Sequence, residues 1–221
     1  MKLLGIDDAG RGPVIGPMIL AGVLLDNKKQ EQTIKSWGAK DSKLLTPHKR
    51  HLLKNKIVSS YQYEIATTSP REIDNHKNLN TLEAEKTASI INHFAKTTDD
   101  KIQVIVDCPS TNIKAWTETV RNLLDNPNHI LLSCKHKADR DHPVVSAASI
   151  LAKESREEEI KKLKQLLEID FGSGYPADPK TKNFVTKNHS NPTYANIIRF
   201  SWATIKKLQR TSSQRKLFKK I

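Results

Sequence analysis

Cysteine is scarce in this chain, at two residues of 221, Cys108 and Cys134. A chain of this length can bury a core without a covalent staple, so both are expected as reduced thiols and a disulfide scaffold is excluded. Long apolar runs are missing as well. None approaches the roughly 20 residues of a membrane-spanning helix. The apolar start Met1-Lys2-Leu3-Leu4 is ended by Asp7 and Asp8 before it could serve as a signal peptide, so a cytoplasmic protein with no membrane partner is expected. No internal repeat is found. Acid is absent from one whole region: Pro179 to Ile221 holds eleven of the 37 Lys and Arg and none of the 24 Asp and Glu. The other 178 positions carry 26 basic and 24 acidic side chains, so nearly all of the net charge of +13 sits in the last fifth of the chain. That asymmetry points to a polyanionic partner, nucleic acid ahead of a membrane surface, against the plainer reading of a solubilising tail.

What is present begins with Gly5 to Pro17, G-I-D-D-A-G-R-G-P-V-I-G-P. Lys2 to Asp7 reads as a buried strand that runs into two adjacent carboxylates and then a stiff turn bearing glycine, proline and one arginine. Such a stretch can hold a divalent cation beside backbone able to approach a phosphate closely, or it can be a solvated surface turn. The uniformly apolar Met18 to Leu25 reads as a central strand, antiparallel to the first because only a turn joins them. Thr46-Pro47 are an N-cap and first-turn pair for a helix with Leu52, Leu53 and Ile57. Tyr61 to Thr68 alternates as a third strand, and Asn80 with Glu83 reads as a capping pair for the next helix. Ile102 to Val106 is a β-branched strand ending at Asp107. A helix over Asn112 to Leu124, a short strand Ile130 to Leu132, a charged loop, a long helix from about Ser146 to Glu168 and a helix over Asn196 to Gln209 follow. This order indicates an α/β layer structure with helical material at the C-terminus.

Two predicted strands each deliver an Asp at their carboxyl end, Asp7 and Asp107, and such ends face one crevice in an α/β sheet. Asp8 and either Asp139 or Asp141 complete a candidate set of four. Four clustered carboxylates would repel one another and raise some of their pKa values. Two Mg²⁺ or Mn²⁺ ions would relieve that conflict and suit in-line displacement at phosphorus. Taken singly, each Asp is better explained as a turn former. Cys134, His136 and His142 offer a rival zinc cluster, but their spacing fits no closed four-ligand pattern.

The opening G-I-D-D-A-G-R-G-P-V-I-G-P resembles the signature of type 2 ribonuclease H (ribonuclease HII), archaeal members above all. The likeness continues in Lys40-Asp41-Ser42-Lys43, Val106-Asp107, His136 to Asp139 (H-K-A-D), Pro143 to Lys153 (P-V-V-S-A-A-S-I-L-A-K) and Gly172 to Thr181 (G-S-G-Y-P-A-D-P-K-T), in the family's order. The resemblance implies a ribonuclease H-like α/β fold with a mixed central sheet flanked by helices and a C-terminal helical portion. It also implies a catalytic domain over 1–178 and a basic helical portion and tail over 179–221. The activity it implies is endonucleolytic, two-metal cleavage of RNA in RNA–DNA hybrids and of single ribonucleotides in duplex DNA, leaving 3′-hydroxyl and 5′-phosphate ends. By motif, Asp7, Asp8, Asp107 and Asp139 become the catalytic, metal-binding acids, with K-A-D selecting Asp139 over Asp141. Gly10, Arg11 and Gly12 become the segment that senses the 2′-hydroxyl, and Tyr175 the ring that stacks on the sugar at the RNA–DNA junction. Lys40, Ser42 and Lys43 become phosphate contacts. Lys153 and Arg156 are read equally as phosphate contacts or as a solvated helix face.

One departure stands out: the family's second acid is usually Glu, and this chain has Asp8, shorter by about 1.5 Å of reach. It is expected still to bind metal, with a tilt toward Mn²⁺. The substitution also keeps open a catalytically weak hybrid-binding protein, and the fold keeps open another two-metal nuclease such as a resolvase. Gln214-Arg215-Lys216-Leu217-Phe218 faintly resembles the start of a sliding-clamp-binding peptide, but Lys220 and Ile221 stand where its later aromatic pair would be. A monomer is expected.

Overall fold

The computed structural model describes residues 1–39 and 45–218, the last seven as backbone only. Its sheet has five strands: β1 (Lys2–Ala9), β2 (Met18–Leu25), β3 (Gln62–Thr68), β4 (Ile102–Asp107) and β5 (Ile130–Lys135), in the order β3-β2-β1-β4-β5. β1 runs antiparallel to β2 and parallel to β4, and β4 parallel to β5, so the sheet is mixed. All eight residues of β2 are buried, which accounts for its unalternating apolar sequence. The connections into the parallel half carry helices, α4 (Leu79–Ala95) before β4 and α5 (Ile113–Asn122) between β4 and β5.

Two glycines let helices close on opposite faces of the sheet. A β-carbon at Gly5 would lie 2.5 Å from the carbonyl carbon and oxygen of Val144, at the start of the long helix α7 (Pro143–Leu167). Gly22 stands opposite Ile6 in the β1–β2 ladder and therefore on the other face, because side chains alternate along a strand. There a β-carbon would lie 2.5 Å from Cγ2 of Ile90 on α4. Leu3, Ile19, Ala21, Val23 and Ile105 pack with Val144, Ala148 and Leu151 on the α7 side.

Local signals account for most helix starts. Thr46 caps α2 (Pro47–Ser60) by accepting the Lys49 N–H at 3.3 Å, and Asn112 caps α5. At α4 the cap is Asn78, not the expected Asn80–Glu83 pair. Asn78 is extended and accepts the Asn80 N–H at 2.9 Å, while Glu83 turns inward and is buried. α7 begins at Pro143, three residues earlier than expected, because proline is well suited to a first helical position. The last helix, here α9, spans Ala203–Phe218 rather than 196–209. Ile198 is drawn into a β-bridge with Ile15 instead of continuing a helical stripe. α1 (Gln30–Ser36), α3 (Pro70–Asn75), α6 (Ala138–Asp141) and α8 (Pro179–Asn188) complete the order. No described helix is long and apolar enough to cross a membrane.

The chain divides into two compact units. The first, 1–9, 19–67 and 78–155, holds the sheet. The second gathers 10–18, 68–77 and 156–221, and has its own core of Val14, Ile15, Ile160, Phe171, Phe184 and Ile198 among others. Within it the turn after β1 is held by backbone bonds: Val14 N–H to Gly174 O at 2.8 Å and Gly16 N–H to Ile197 O at 2.8 Å.

Candidate active site

In the first unit, Ile6 pairs with Val106 across the parallel β1–β4 ladder, so Asp7 and Asp107 follow side by side at neighbouring strand ends. Alternation puts both on the α7 face and Asp8 on the α4 face. Asp139 reaches the group from α6. Lys137, in the left-handed region at φ 59°, turns the chain so that the Ala138 N–H donates to Asp107 Oδ1 at 2.9 Å. Asp7 Oδ1 accepts the Asp8 N–H at 2.7 Å, and the Ser149 hydroxyl of α7 donates to the same carboxylate.

These contacts do not offset the crowding. Burial, and then the charge of Asp8, holds the Asp7 carboxyl well above the ordinary carboxylate range. Asp107 adds to that push, and the bonds from Ser149 and the Asp8 N–H oppose it. Asp107 is also raised, by burial and by the charge of Asp139, against the N–H groups of Ala138 and Lys137. Four acids drawn from two strand ends and one short helix are thus close enough for three pairs to feel each other: Asp7 with Asp8, Asp7 with Asp107, and Asp107 with Asp139.

Among the described residues, no three His, Cys, Asp or Glu side chains already stand in a metal-holding arrangement. The donor set nevertheless fits a hard divalent cation chemically, since it consists of carboxylate oxygens whose mutual repulsion opposes ionisation. The thiols fit no such role. Cys108 and Cys134 are buried, burial pushes the Cys134 thiol up to about 11, and His136 Nδ1 is 3.1 Å from the Cys108 carbonyl oxygen.

Three neighbours of the acids escaped the sequence reading: Glu83, Thr87 and Ser149. Glu83 and Thr87, one turn apart on α4 and each 1% exposed, line the narrow cavity that Asp7, Asp8 and Asp107 also line. A Glu three residues after an Asn reads locally as a cap, and only the packing of α4 on the sheet turns it inward. Ser149 lies within the P-V-V-S-A-A-S-I-L-A-K block, but nothing local marks it as the partner of Asp7.

The second unit brings together Gly10, Arg11, Gly12 and Tyr175. Gly10 has φ +89°, and a β-carbon there would lie 2.4 Å from Cδ of Arg156; at Gly12 the nearest atom would be Tyr175 Cε1, at 3.8 Å. Tyr175 is 46% exposed, with the Arg156 guanidinium 5.4 Å from its ring centroid. Arg156 is therefore neither a phosphate contact nor a solvated helix residue. It is buried, donates to Ile15 O at 3.2 Å, and burial lowers its pKa. The Tyr175 turn is fixed by Asp178, which accepts the Ser173 N–H at 2.7 Å and caps α8, and by Thr181, whose hydroxyl accepts the Gly174 N–H at 3.0 Å. Lys40, Ser42 and Lys43 lie outside the described residues.

The order β3-β2-β1-β4-β5, with helices on both faces, defines a ribonuclease H-like fold. The family model for Ribonuclease HII matches residues 4–205. Ribonuclease HII of Pyrococcus furiosus is 41% identical over 219 residues, covering 98% of this chain and 95% of that protein. Among solved structures, the ribonuclease H2 from Pyrococcus horikoshii OT3 aligns with a TM-score of 0.83 at 35% identity, covering 96% of this chain and 98% of that one. The structure of the PCNA:RNase HII complex from Archaeoglobus fulgidus aligns with a TM-score of 0.79 at 32% identity, covering 91% and 95%. The chain belongs to the ribonuclease HII family and is an endoribonuclease.

Proposed function

We propose that this chain cuts the RNA strand of RNA–DNA hybrids and incises duplex DNA at single ribonucleotides, leaving 3′-hydroxyl and 5′-phosphate ends. The observation that carries the reading is the meeting of Asp7 and Asp107 at parallel strand ends, with Asp8 and Asp139 beside them, in a chain of this family. Asp7, Asp8, Asp107 and Asp139 would hold the cations. Held there, a pair of Mg²⁺ or Mn²⁺ ions would supply Lewis acidity for the attacking water and the leaving oxygen. The chain's own part is to orient the acids. Ser149 and the Asp8 N–H fix the Asp7 carboxylate, and the Ala138 N–H fixes that of Asp107.

Recognition is assigned to backbone and ring. Gly10, Arg11 and Gly12 sense the 2′-hydroxyl, and Tyr175 stacks on the sugar at the junction. Only Ala9 separates Asp8 from Gly10 along the chain, in keeping with a scissile phosphate that adjoins the hydroxyl being read. Lys40, Ser42 and Lys43 contact phosphates, which sets register without sequence preference. Residues 1–178 carry catalysis and 179–221 form a basic helical portion. The protein acts as a cytoplasmic monomer, and a sliding-clamp contact through Gln214–Phe218 is to be sought by pull-down.

The substitution at Asp8 favours one second reading, a hybrid-binding protein with weak catalysis. A duplex holding one ribonucleotide, incubated with Mg²⁺ or Mn²⁺, separates the readings. Incision on the 5′ side of the ribonucleotide is expected. Binding without incision supports the binder, and cutting of branched all-DNA substrates supports a resolvase.

A further inference from the structure

Arg199 has no solvent exposure, although it carries a guanidinium. Its partners are backbone carbonyls of one short stretch: Nε donates to Gly16 O at 2.9 Å, Nη1 to Arg11 O at 3.1 Å and Nη2 to Gly10 O at 2.7 Å. Its own N–H donates to Val14 O at 2.9 Å. Trp202 continues the pattern, with its indole N–H on Gly12 O at 3.1 Å and its ring 4.8 Å from the Arg199 guanidinium carbon. Five carbonyls between Gly10 and Gly16 are thus turned toward Arg199 and Trp202. The segment carrying these donors is itself tied to α3: Asp74 accepts from the N–H of Phe200 at 2.6 Å, the N–H of Ser201 at 2.9 Å and the Ser201 hydroxyl at 2.5 Å. Burial, and then the nearby charge of Arg156, lowers the Arg199 pKa to about 9. A buried cation is expensive, and a position that needed only packing would be as well served by an apolar residue.

A trans peptide is planar and holds its C=O and N–H pointing in opposite directions. Fixing the carbonyls of Gly10 and Arg11 on the guanidinium therefore directs the N–H groups of Arg11 and Gly12 away from it. Pro13 has no N–H, so the next peptide unit presents no such donor. We infer that Arg199, with Trp202, is a positioning residue for ribonucleotide specificity: it turns the carbonyls of Gly10–Gly12 inward and so aims their amides at the sugar, without touching substrate. This rests on the reading of Gly10–Gly12 as the 2′-hydroxyl sensor.

The test is binding in EDTA, where no cleavage occurs, of two labelled duplexes that differ only in one ribonucleotide. The wild-type chain is compared with Arg199→Lys and Trp202→Phe. Lysine keeps the charge but gathers its donors on one nitrogen and cannot span carbonyls from Gly10 to Gly16. Wild type is expected to prefer the ribonucleotide duplex by about tenfold or more. Arg199→Lys should bring that ratio close to one, with affinity for all-DNA duplex unchanged, and Trp202→Phe should lower it part of the way. If Arg199→Lys does not fold, Trp202→Phe carries the test alone. A ratio kept in the folded variants, or an equal loss of affinity for both duplexes, overturns the inference and leaves the sensor reading standing. A wild-type ratio of one sinks the sensor reading, and the inference with it.

Discussion

Gly10 and Arg156 approach so closely that no side chain fits between them: a β-carbon on Gly10 would lie 2.4 Å from Cδ and Nε of Arg156, and 2.8 Å from Pro17 O. The backbone there is also left-handed, at φ +89°. Gly10→Ala is expected to destabilise the fold by about 1–3 kcal/mol in urea titration. On the proposed role of Gly10–Gly12 in reading the sugar, it should also lower kcat/KM on a ribonucleotide-containing duplex by about a hundredfold, since misplacing a substrate-positioning group is amplified in rate. Gly12→Ala is the control, because its β-carbon would meet Tyr175 at 3.8 Å, an ordinary contact. Its stability should change by less than about 1 kcal/mol.

The acids make a prediction about pH. The folded pKa of Asp7 is raised by burial and by Asp8. Its contribution to stability is therefore fully present below the unfolded value, about 3.9, and is lost as pH rises through the folded one. In EDTA, Asp7→Asn should melt above wild type at pH 7, with the two converging toward pH 4. Added Mg²⁺ should raise the wild-type Tm and leave the variant's unchanged. Activity of Asp7→Asn should fall by about a hundredfold or more. Parallel melting curves for the two proteins across that range would contradict the placement of Asp7 among like charges.

Asp8 is the acid on the α4 face of β1, and it is one methylene shorter than the Glu that the family usually has there. Asp8→Glu restores about 1.5 Å of reach. The Mg²⁺-to-Mn²⁺ ratio of initial rates should then rise by about tenfold, because Mg²⁺ tolerates less deviation from its preferred ligand distances. Unchanged rate and unchanged metal preference would remove Asp8 from the metal site.

The basic end of the chain is tested by salt. Deleting residues from Thr211 onward removes Arg215, Lys216, Lys219 and Lys220 and none of the proposed catalytic acids. If those residues neutralise phosphates, the slope of log K against log salt for duplex binding falls by about 0.9 for each phosphate no longer neutralised. An unchanged slope would make the tail a solubility device.

Much of this protein was legible without its fold. The unbroken apolar run of β2 marked a central strand, and the short turn after β1 dictated antiparallel pairing. Thr46-Pro47 announced a helix start, and the strand-end acids Asp7 and Asp107 stood out as candidates. Each of these is encoded within a few residues, through periodicity, capping or turn chemistry. Glu83 was misread for the same reason: its neighbours in sequence make it a cap, and only the packing of α4 on the sheet makes it a buried neighbour of the acids.

What the sequence determined by itself was the five strands, the helices with strong local signals, the family and the candidate acids; the short helices α1, α3 and α6, and α8, were settled only by the fold. Tertiary structure alone decided which face of β1 each acid takes, that Arg156 is buried rather than solvated, and that Arg199 serves the glycine turn. Arg199 bonds carbonyls 183 to 189 residues earlier in the chain. Backbone carbonyls carry no side-chain signature, so no local pattern can announce such a partner. The second unit is assembled from three separated stretches, and only their meeting in space gives a lone arginine near the C-terminus its purpose.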